Sequence, residues 1–262
     1  MTVVETMVRV GVDELWADDT GGPGQPVVLL HPGIADSTIW DGVLPALAAQ
    51  YRVIRYDVRG YGRSPEATTE YVLLDDLLAV LDHFELPQVA LVGCSMGGGT
   101  SVDLALADPG RVAAMVLVCP GISGYPWPDE PELDAEFDAF AQAGDLDGLA
   151  EVGLRMWVGA GADEAARALM RGAVRAWLNE EEFQRAGLPA FDRLGEVHVP
   201  TVIMVGDLDR PALISCNEEA AGRIPDARLV RVPGGDHLLP LRHPGLVTDI
   251  VLGHLAAITS RW

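Results

Sequence analysis

The sequence contains no lysine. All 18 of its basic residues are arginines, set against 39 aspartates and glutamates, and the formal net charge is −21. Without lysine the chain cannot form a Schiff base, hold pyridoxal phosphate as an imine, or build a Walker-type phosphate loop. The acidic excess repels polyanions and no basic stripe is present, so no nucleic-acid partner is expected. Cysteine is scarce too. Cys94, Cys119 and Cys216 are odd in number and lack metal-ligand spacing, so reduced thiols are expected and no metal site is anticipated. No apolar run reaches about 18 residues without a charge, which argues against a membrane-spanning helix. Met1–Glu5 lack a basic region followed by an apolar stretch, so no secretory signal is expected and the anticipated location is the cytoplasm. Gly11, Gly21, Gly22 and Gly24 are assigned to turns, since no helical pattern follows them as a dinucleotide fingerprint requires. No cofactor is implied.

What is present is ample core material: 262 residues that are 49% hydrophobic, enough for one large α/β domain. Strand-like and helix-like stretches alternate from Val27 to about Val118, with Trp40–Leu47 and the amphipathic Tyr71–Phe84 reading as helices, the pattern of a mostly parallel central sheet flanked by helices. Within it, Val89-Ala90-Leu91-Val92-Gly93-Cys94-Ser95-Met96-Gly97 is an apolar run ending in Gly-x-Ser-x-Gly. Such a run predicts a buried strand that turns sharply into a helix, with Ser95 strained at the tip and its hydroxyl in a cleft. Gly93 and Gly97 must be small where strand and helix nearly touch. Ser95 is therefore the candidate nucleophile.

A serine hydroxyl needs a base, and the base needs a group to orient it. Thr201–Val205 and Arg228–Val232 read as strands. The first is followed by Gly206-Asp207-Leu208-Asp209, the second by Pro233-Gly234-Gly235-Asp236-His237. Loops past strand ends are where side chains of an open sheet meet a crevice. Of six histidines, His83, His198, His243 and His254 read as surface or structural, and His31 belongs to an early loop. His237 is the candidate base. Asp207 and Asp209 compete for the acid position. Met96, at the start of the helix after Ser95, offers a backbone N–H for a developing oxyanion.

Taken together, these stretches resemble the α/β-hydrolase superfamily over nearly the whole chain. That resemblance implies the acid motif Gly-x-x-Asp after the penultimate strand, which favours Asp209. It also implies a His-Gly-x loop after an early strand, here His31-Pro32-Gly33-Ile34 after Val27–Leu30. Proline has no N–H, so the second oxyanion donor is expected from Gly33, with Ile34 the alternative. Leu44–Leu47 through Ser64 is similar to 3-oxoadipate enol-lactonase-like and related small esterases, and Gly93–Gly99 to cofactor-free haloperoxidases.

From about Ser123 to Glu196 the alternation stops and helical spacing takes over, as in Leu133-Phe137-Phe140 and Leu169-Ala173-Trp177. The expected organisation is a hydrolase core of residues 1–122 and 197–262 with a helical cap of 123–196. Any of Tyr125, Trp127, Phe137, Phe140, Met156, Trp157, Trp177 and Phe183 could line a pocket beneath it. Nine acidic residues and no basic one lie between Asp129 and Glu151, a solvated face or a mouth that disfavours anions. The expected activity is cleavage of a carboxylic ester or lactone, with a small-molecule substrate that carries an apolar portion as the partner. Perhydrolysis or C–C bond hydrolysis on the same residues, and a non-catalytic ligand receptor, are the alternatives. Leu238 stands after His237, where relatives that cleave C–C bonds often have tryptophan.

Overall fold

The computed structural model describes residues 3–187 and 189–258. Met1, Thr2, Leu188 and residues 259–262, which the expected domain bounds include, lie outside the described residues. The described strands are β1 (Val4–Val10), β2 (Asp13–Asp19), β3 (Pro26–Leu30), β4 (Arg52–Tyr56), β5 (Val89–Cys94), β6 (Val112–Val118), β7 (Thr201–Gly206) and β8 (Arg228–Val232). They form one sheet in the order β1-β2-β4-β3-β5-β6-β7-β8. The β1–β2 and β2–β4 pairs are antiparallel. All other neighbours are parallel, as the sequence led us to expect.

The central strands β5, β6 and β7 are buried at every position, which a parallel sheet covered on both faces requires. Alternate side chains feed two cores. Val28, Leu30, Leu91, Leu117 and Ile203 enter one; Val27, Leu29, Val92, Val116 and Met204 enter the other. The helices before β7 are α1 (Leu44–Ala48), α2 (Leu73–His83), α3 (Met96–Ala107), α4 (Pro131–Ala143), α5 (Leu146–Trp157) and α6 (Glu164–Phe183). After it come α7 (Pro211–Arg223), α8 (Leu239–Arg242) and α9 (Pro244–Ile258). The first core is closed by α2 and α3 through residues such as Leu77, Leu81 and Val102. The second is closed by α1 and α9 through Leu47, Val247 and Val251.

Two helix boundaries differ from the sequence reading. The stretch Trp40–Leu47 is not one helix but a 3-10 turn, Ser37–Trp40, and the short α1. Pro45 separates them: it has no N–H to give a preceding turn, so it is tolerated only in the first turn of a new helix, where α1 places it. The helix expected over Tyr71–Phe84 begins only at Leu73. Tertiary pairing claims the preceding backbone: Tyr71 donates its N–H to Phe183 O at 3.0 Å and bridges to Gln184.

Between β6 and β7 the described residues hold α4, α5, α6 and a 3-10 turn but no strand of the sheet. Local chemistry sets these helices. Pro131 opens α4 and Gly144 ends it in the left-handed conformation. Asp145 and Asp163 cap α5 and α6 by accepting from Gly148 N and Ala166 N. Gly153 lets α5 and α6 close up, since a Cβ there would stand 2.6 Å from Met170 Sδ and from the Trp177 ring.

Strand order decides where a site can form. β4 lies on one side of β3 and β5 on the other. The chain therefore reverses its direction across the sheet between them, and the loops leaving β3 and β5 diverge to leave a crevice.

Candidate functional site

Ser95 sits between β5 and α3 with φ 50° and ψ −110°, a conformation that L-residues rarely adopt. The surroundings hold it there. Ser95 N–H donates to Val118 O at 2.9 Å, and Ser95 O accepts from Gly99 N and Gly121 N. The two flanking glycines have separate reasons. A Cβ on Gly93 would run into the Gly97 carbonyl, and one on Gly97 would stand 2.5 Å from the backbone oxygen of Leu30. The second contact is with β3, so Gly97 clamps the helix start to the strand that carries the next loop.

That loop is His31-Pro32-Gly33-Ile34. His31 spends both ring nitrogens on structure: Nδ1 bonds to Pro32 O at 2.9 Å and Nε2 accepts from Val58 N at 2.9 Å. Ala35 N–H also donates to Pro32 O. In a trans peptide C=O and N–H point opposite ways, so pinning Pro32 O orients the Gly33 N–H. Gly33 O is pinned in turn by Trp177 Nε1 at 2.6 Å, with Tyr61 Oη beside it at 3.1 Å; the one proton of that hydroxyl has Glu180 Oε1, at 2.9 Å, as a second acceptor. Among the described residues, the N–H groups of Gly33 and Met96 have no protein acceptor.

At the end of β7, Asp209 is buried and accepts through Oδ1 from Arg210 N. Its Oδ2 lies 2.8 Å from His237 Nδ1, and His237 is 1% exposed. His237 Nε2 is buried with no hydrogen-bond partner among the described residues, so the Ser95 hydroxyl is not engaged with it in this arrangement. Trp157 stacks on the His237 ring at 4.4 Å between centroids. Asp207, the rival carboxylate, faces outward and pairs with Arg231 at 2.8 Å. Asp236 supports the His237 loop by accepting from Leu238 N and Ala160 N.

The cysteines are free and all buried. Folding brings Cys119 beside the pair, so that Cys119, Asp209 and His237 offer ligand atoms within 4.8 Å of one another, a trio that sequence spacing did not foreshadow. Burial, reinforced by the Asp209 charge, pushes the Cys119 thiol well above its ordinary range. A thiol held protonated is a poor metal ligand.

Two adjoining cavities, of about 440 and 490 Å³, share Ser95, Gly121, Trp127 and Trp157 as lining. The smaller adds Phe137, Met156 and Leu213, with Asp129, Glu130 and Asp134 at its edge. Glu130 pairs with Arg210, which also lies over the Trp157 ring. The larger contains Gly33 and Met96, and with them Trp177, Asp103 and Glu180. Of the candidate pocket aromatics, Trp127, Phe137, Trp157 and Trp177 line these cavities, as does Met156, while Tyr125, Phe140 and Phe183 pack against the cores. Sequence reasoning did not single out Glu180, Tyr61 or the Trp157–His237 stack. No local pattern marks them, because each depends on α5 or α6 folding over the strand ends.

The sequence profile of the alpha/beta hydrolase fold family matches residues 26–172, more than half of the chain. A putative carbamate hydrolase RutD of Caulobacter vibrioides is 30% identical over 93% of this chain and 96% of its own length. Among solved structures, Est816, described as an N-acyl homoserine lactone degrading enzyme, superposes with a TM-score of 0.80 at 26% identity, covering 95% of this chain and 99% of that one. The enol-lactonase of Burkholderia xenovorans LB400 also reaches 0.80, at 22% identity, over 96% of this chain and 100% of that one, and so shares its fold.

Proposed function

This chain belongs to the α/β-hydrolase fold family, and on that basis we propose that it is a serine hydrolase cleaving a carboxylic ester or lactone. The observation that carries the reading is the buried Asp209–His237 pair, 2.8 Å apart, with Nε2 left free. A carboxylate on Nδ1 holds the imidazole in the tautomer whose Nε2 accepts a proton. Ser95 then attacks the carbonyl carbon as Nε2 takes its hydroxyl proton. The carbonyl oxygen becomes an oxyanion, received by the N–H groups of Gly33 and Met96. Collapse expels the alkoxide, which takes the proton from His237. Water, deprotonated by the same Nε2, releases the acyl group and restores Ser95. In a lactone the alkoxide stays tethered to the acyl chain.

Residues 123–196 act in this reading as a cap. They supply Trp127, Phe137, Met156, Trp157 and Trp177 to the cavities beside Ser95, and this wall selects substrates by size and polarity. The three buried free cysteines support a reducing compartment, the cytoplasm, as the place of action.

A fluorophosphonate tests the reading directly. Peptide mapping should place the label on Ser95, and the labelled protein should lose turnover of p-nitrophenyl butyrate. Failure to label, together with no turnover, overturns the proposal. Labelling at Cys94 would replace it with thiol chemistry.

A further inference from the structure

The larger cavity contains a carboxylate that the hydrolytic chemistry does not use. Glu180, on α6, shares this lining with Ser95, Gly33 and Met96. Its Oε1 lies 2.9 Å from Tyr61 Oη, whose single proton is shared with Gly33 O at 3.1 Å, and no other described residue donates to the carboxylate. Burial pushes its pKa up to about 7, with the Tyr61 hydrogen bond only partly offsetting the rise. A partly buried acid with one neutral donor costs stability, and a glutamine would hold the same tyrosine without that cost. Holding Tyr61 in place therefore does not account for an acid here.

The rest of the wall points the same way. Asp103, on α3, is a second carboxyl in this cavity; no described residue hydrogen bonds to it, and burial raises it to about 6. Arg185 is the cation of the lining, and it is committed to Glu70 at 2.7 Å and to the carbonyls of Glu182 and Gln184. Trp127 and Trp177 supply two indoles to the same space, beside Trp157, whose ring already carries His237 and the Arg210 guanidinium. Tryptophan faces attract cations, most strongly where water is excluded. Carboxylates without a protein counter-ion, together with indole walls, make an environment for a positively charged organic group.

We propose that Glu180 determines specificity by receiving an alkylammonium group of the substrate in this cavity, so that the preferred ester or lactone carries a protonated aliphatic amine. The inference rests on Ser95 being the nucleophile and adds the substrate class. The ammonium N–H bonds to the free side of the carboxylate, the indoles cover its methylenes, and the carbonyl is left at Ser95. An anionic substrate would meet Asp103 and Glu180 and be rejected.

Three p-nitrophenyl esters of matched length test it at about pH 8: 6-(dimethylammonio)hexanoate, its neutral carbon analogue 7-methyloctanoate, and the half ester of heptanedioate. For the wild-type protein, kcat/KM should be higher for the ammonium ester than for the neutral one by about tenfold or more, and lowest for the anion. Glu180→Gln should reduce the ammonium-to-neutral ratio by about fivefold or more. Calorimetry with 6-(dimethylammonio)hexanamide and the Ser95→Ala protein supplies an arm independent of turnover, in which adding Glu180→Gln should weaken binding. Equal kcat/KM for the ammonium and neutral esters overturns this proposal and leaves the serine mechanism standing. No turnover of either ester, with the amide still bound through Glu180, overturns the serine mechanism and retains the amine site. The wild-type comparison of esters decides the matter even if Glu180→Gln does not fold.

Discussion

Trp177 donates its indole N–H to the carbonyl of Gly33 at 2.6 Å. The two residues are 144 positions apart, and the bond ties α6 to the loop after β3. Because the Gly33 carbonyl is held by Trp177, and the Pro32 carbonyl by His31 and Ala35, the backbone of this loop is fixed before any substrate arrives. Preorganised donors are what an oxyanion requires.

Trp177→Phe removes that donor and keeps an aromatic ring against Phe137, whose centroid lies 5.8 Å away. Tyr61 Oη stays within reach of Gly33 O at 3.1 Å and can turn its proton to it, so the fold should survive with a loss of about 1 kcal/mol. With a neutral ester we expect kcat to fall about tenfold while KM changes less, the signature of an interaction felt in the transition state. Steady-state kinetics checks this; a rise in KM with kcat unchanged would assign Trp177 to substrate binding alone.

Ser95→Ala should fold normally, because alanine meets the same backbone strain at φ 50° that serine already tolerates. Ester turnover should drop by about three orders of magnitude or more. The measurement is turnover by the purified variant, with its circular dichroism compared with wild type. Near-normal activity would remove Ser95 from the mechanism.

Asp209→Asn and Asp207→Asn should separate sharply. The first places an amide beside His237 Nδ1, where it can present N–H and stabilise the wrong tautomer, so a loss of about 10³ or more in kcat is expected. The second breaks a surface pair with Arg231, whose contribution is at most about 1 kcal/mol, and should change turnover by less than about twofold. Equal losses in a parallel assay would reverse the assignment.

Glu180 also makes a prediction about stability and pH. Its pKa is near 7 in the folded chain and near 4.5 when unfolded. Between these values the folded state holds a proton that the unfolded state has released. Stability therefore falls as pH rises through this window, the reverse of a carboxylate held by an ion pair. Because Glu180 opens on the cavity, the expected loss between about pH 5 and pH 8 is about 1–3 kcal/mol, less than full burial would give. Urea denaturation at both pH values should show this component for the wild type and its absence in Glu180→Gln. Identical pH dependence in the two proteins would mean that Glu180 ionises freely.

The sheet and its flanking helices were legible in the sequence because their determinants are local. β5, β6 and β7 are short apolar runs of the kind that two-sided burial demands, and glycines at 93 and 97 mark a turn that no side chain at those positions could fit. The order of Ser95, Asp209 and His237 along loops after strand ends was legible for the same reason. Where tertiary pairing outweighed local pattern, the reading slipped. Tyr71 left its helix to bond with Phe183; the break within Trp40–Leu47 has a local cause instead, Pro45 in the first turn of α1.

The choice between Asp207 and Asp209 needed more than spacing, since two carboxylates two residues apart on a loop carry no sign of which turns inward. Resemblance favoured Asp209, and the fold pairs it with His237. The walls around Ser95 were decided by tertiary structure alone. Glu180 reads in sequence as one of three consecutive acids on an amphipathic helix, and only the docking of α6 over the crevice sets it beside Tyr61 while Trp177 reaches Gly33. Periodicity determines which residues share a helix face. It cannot determine what that face will meet, because the partner is supplied by chain more than a hundred residues away.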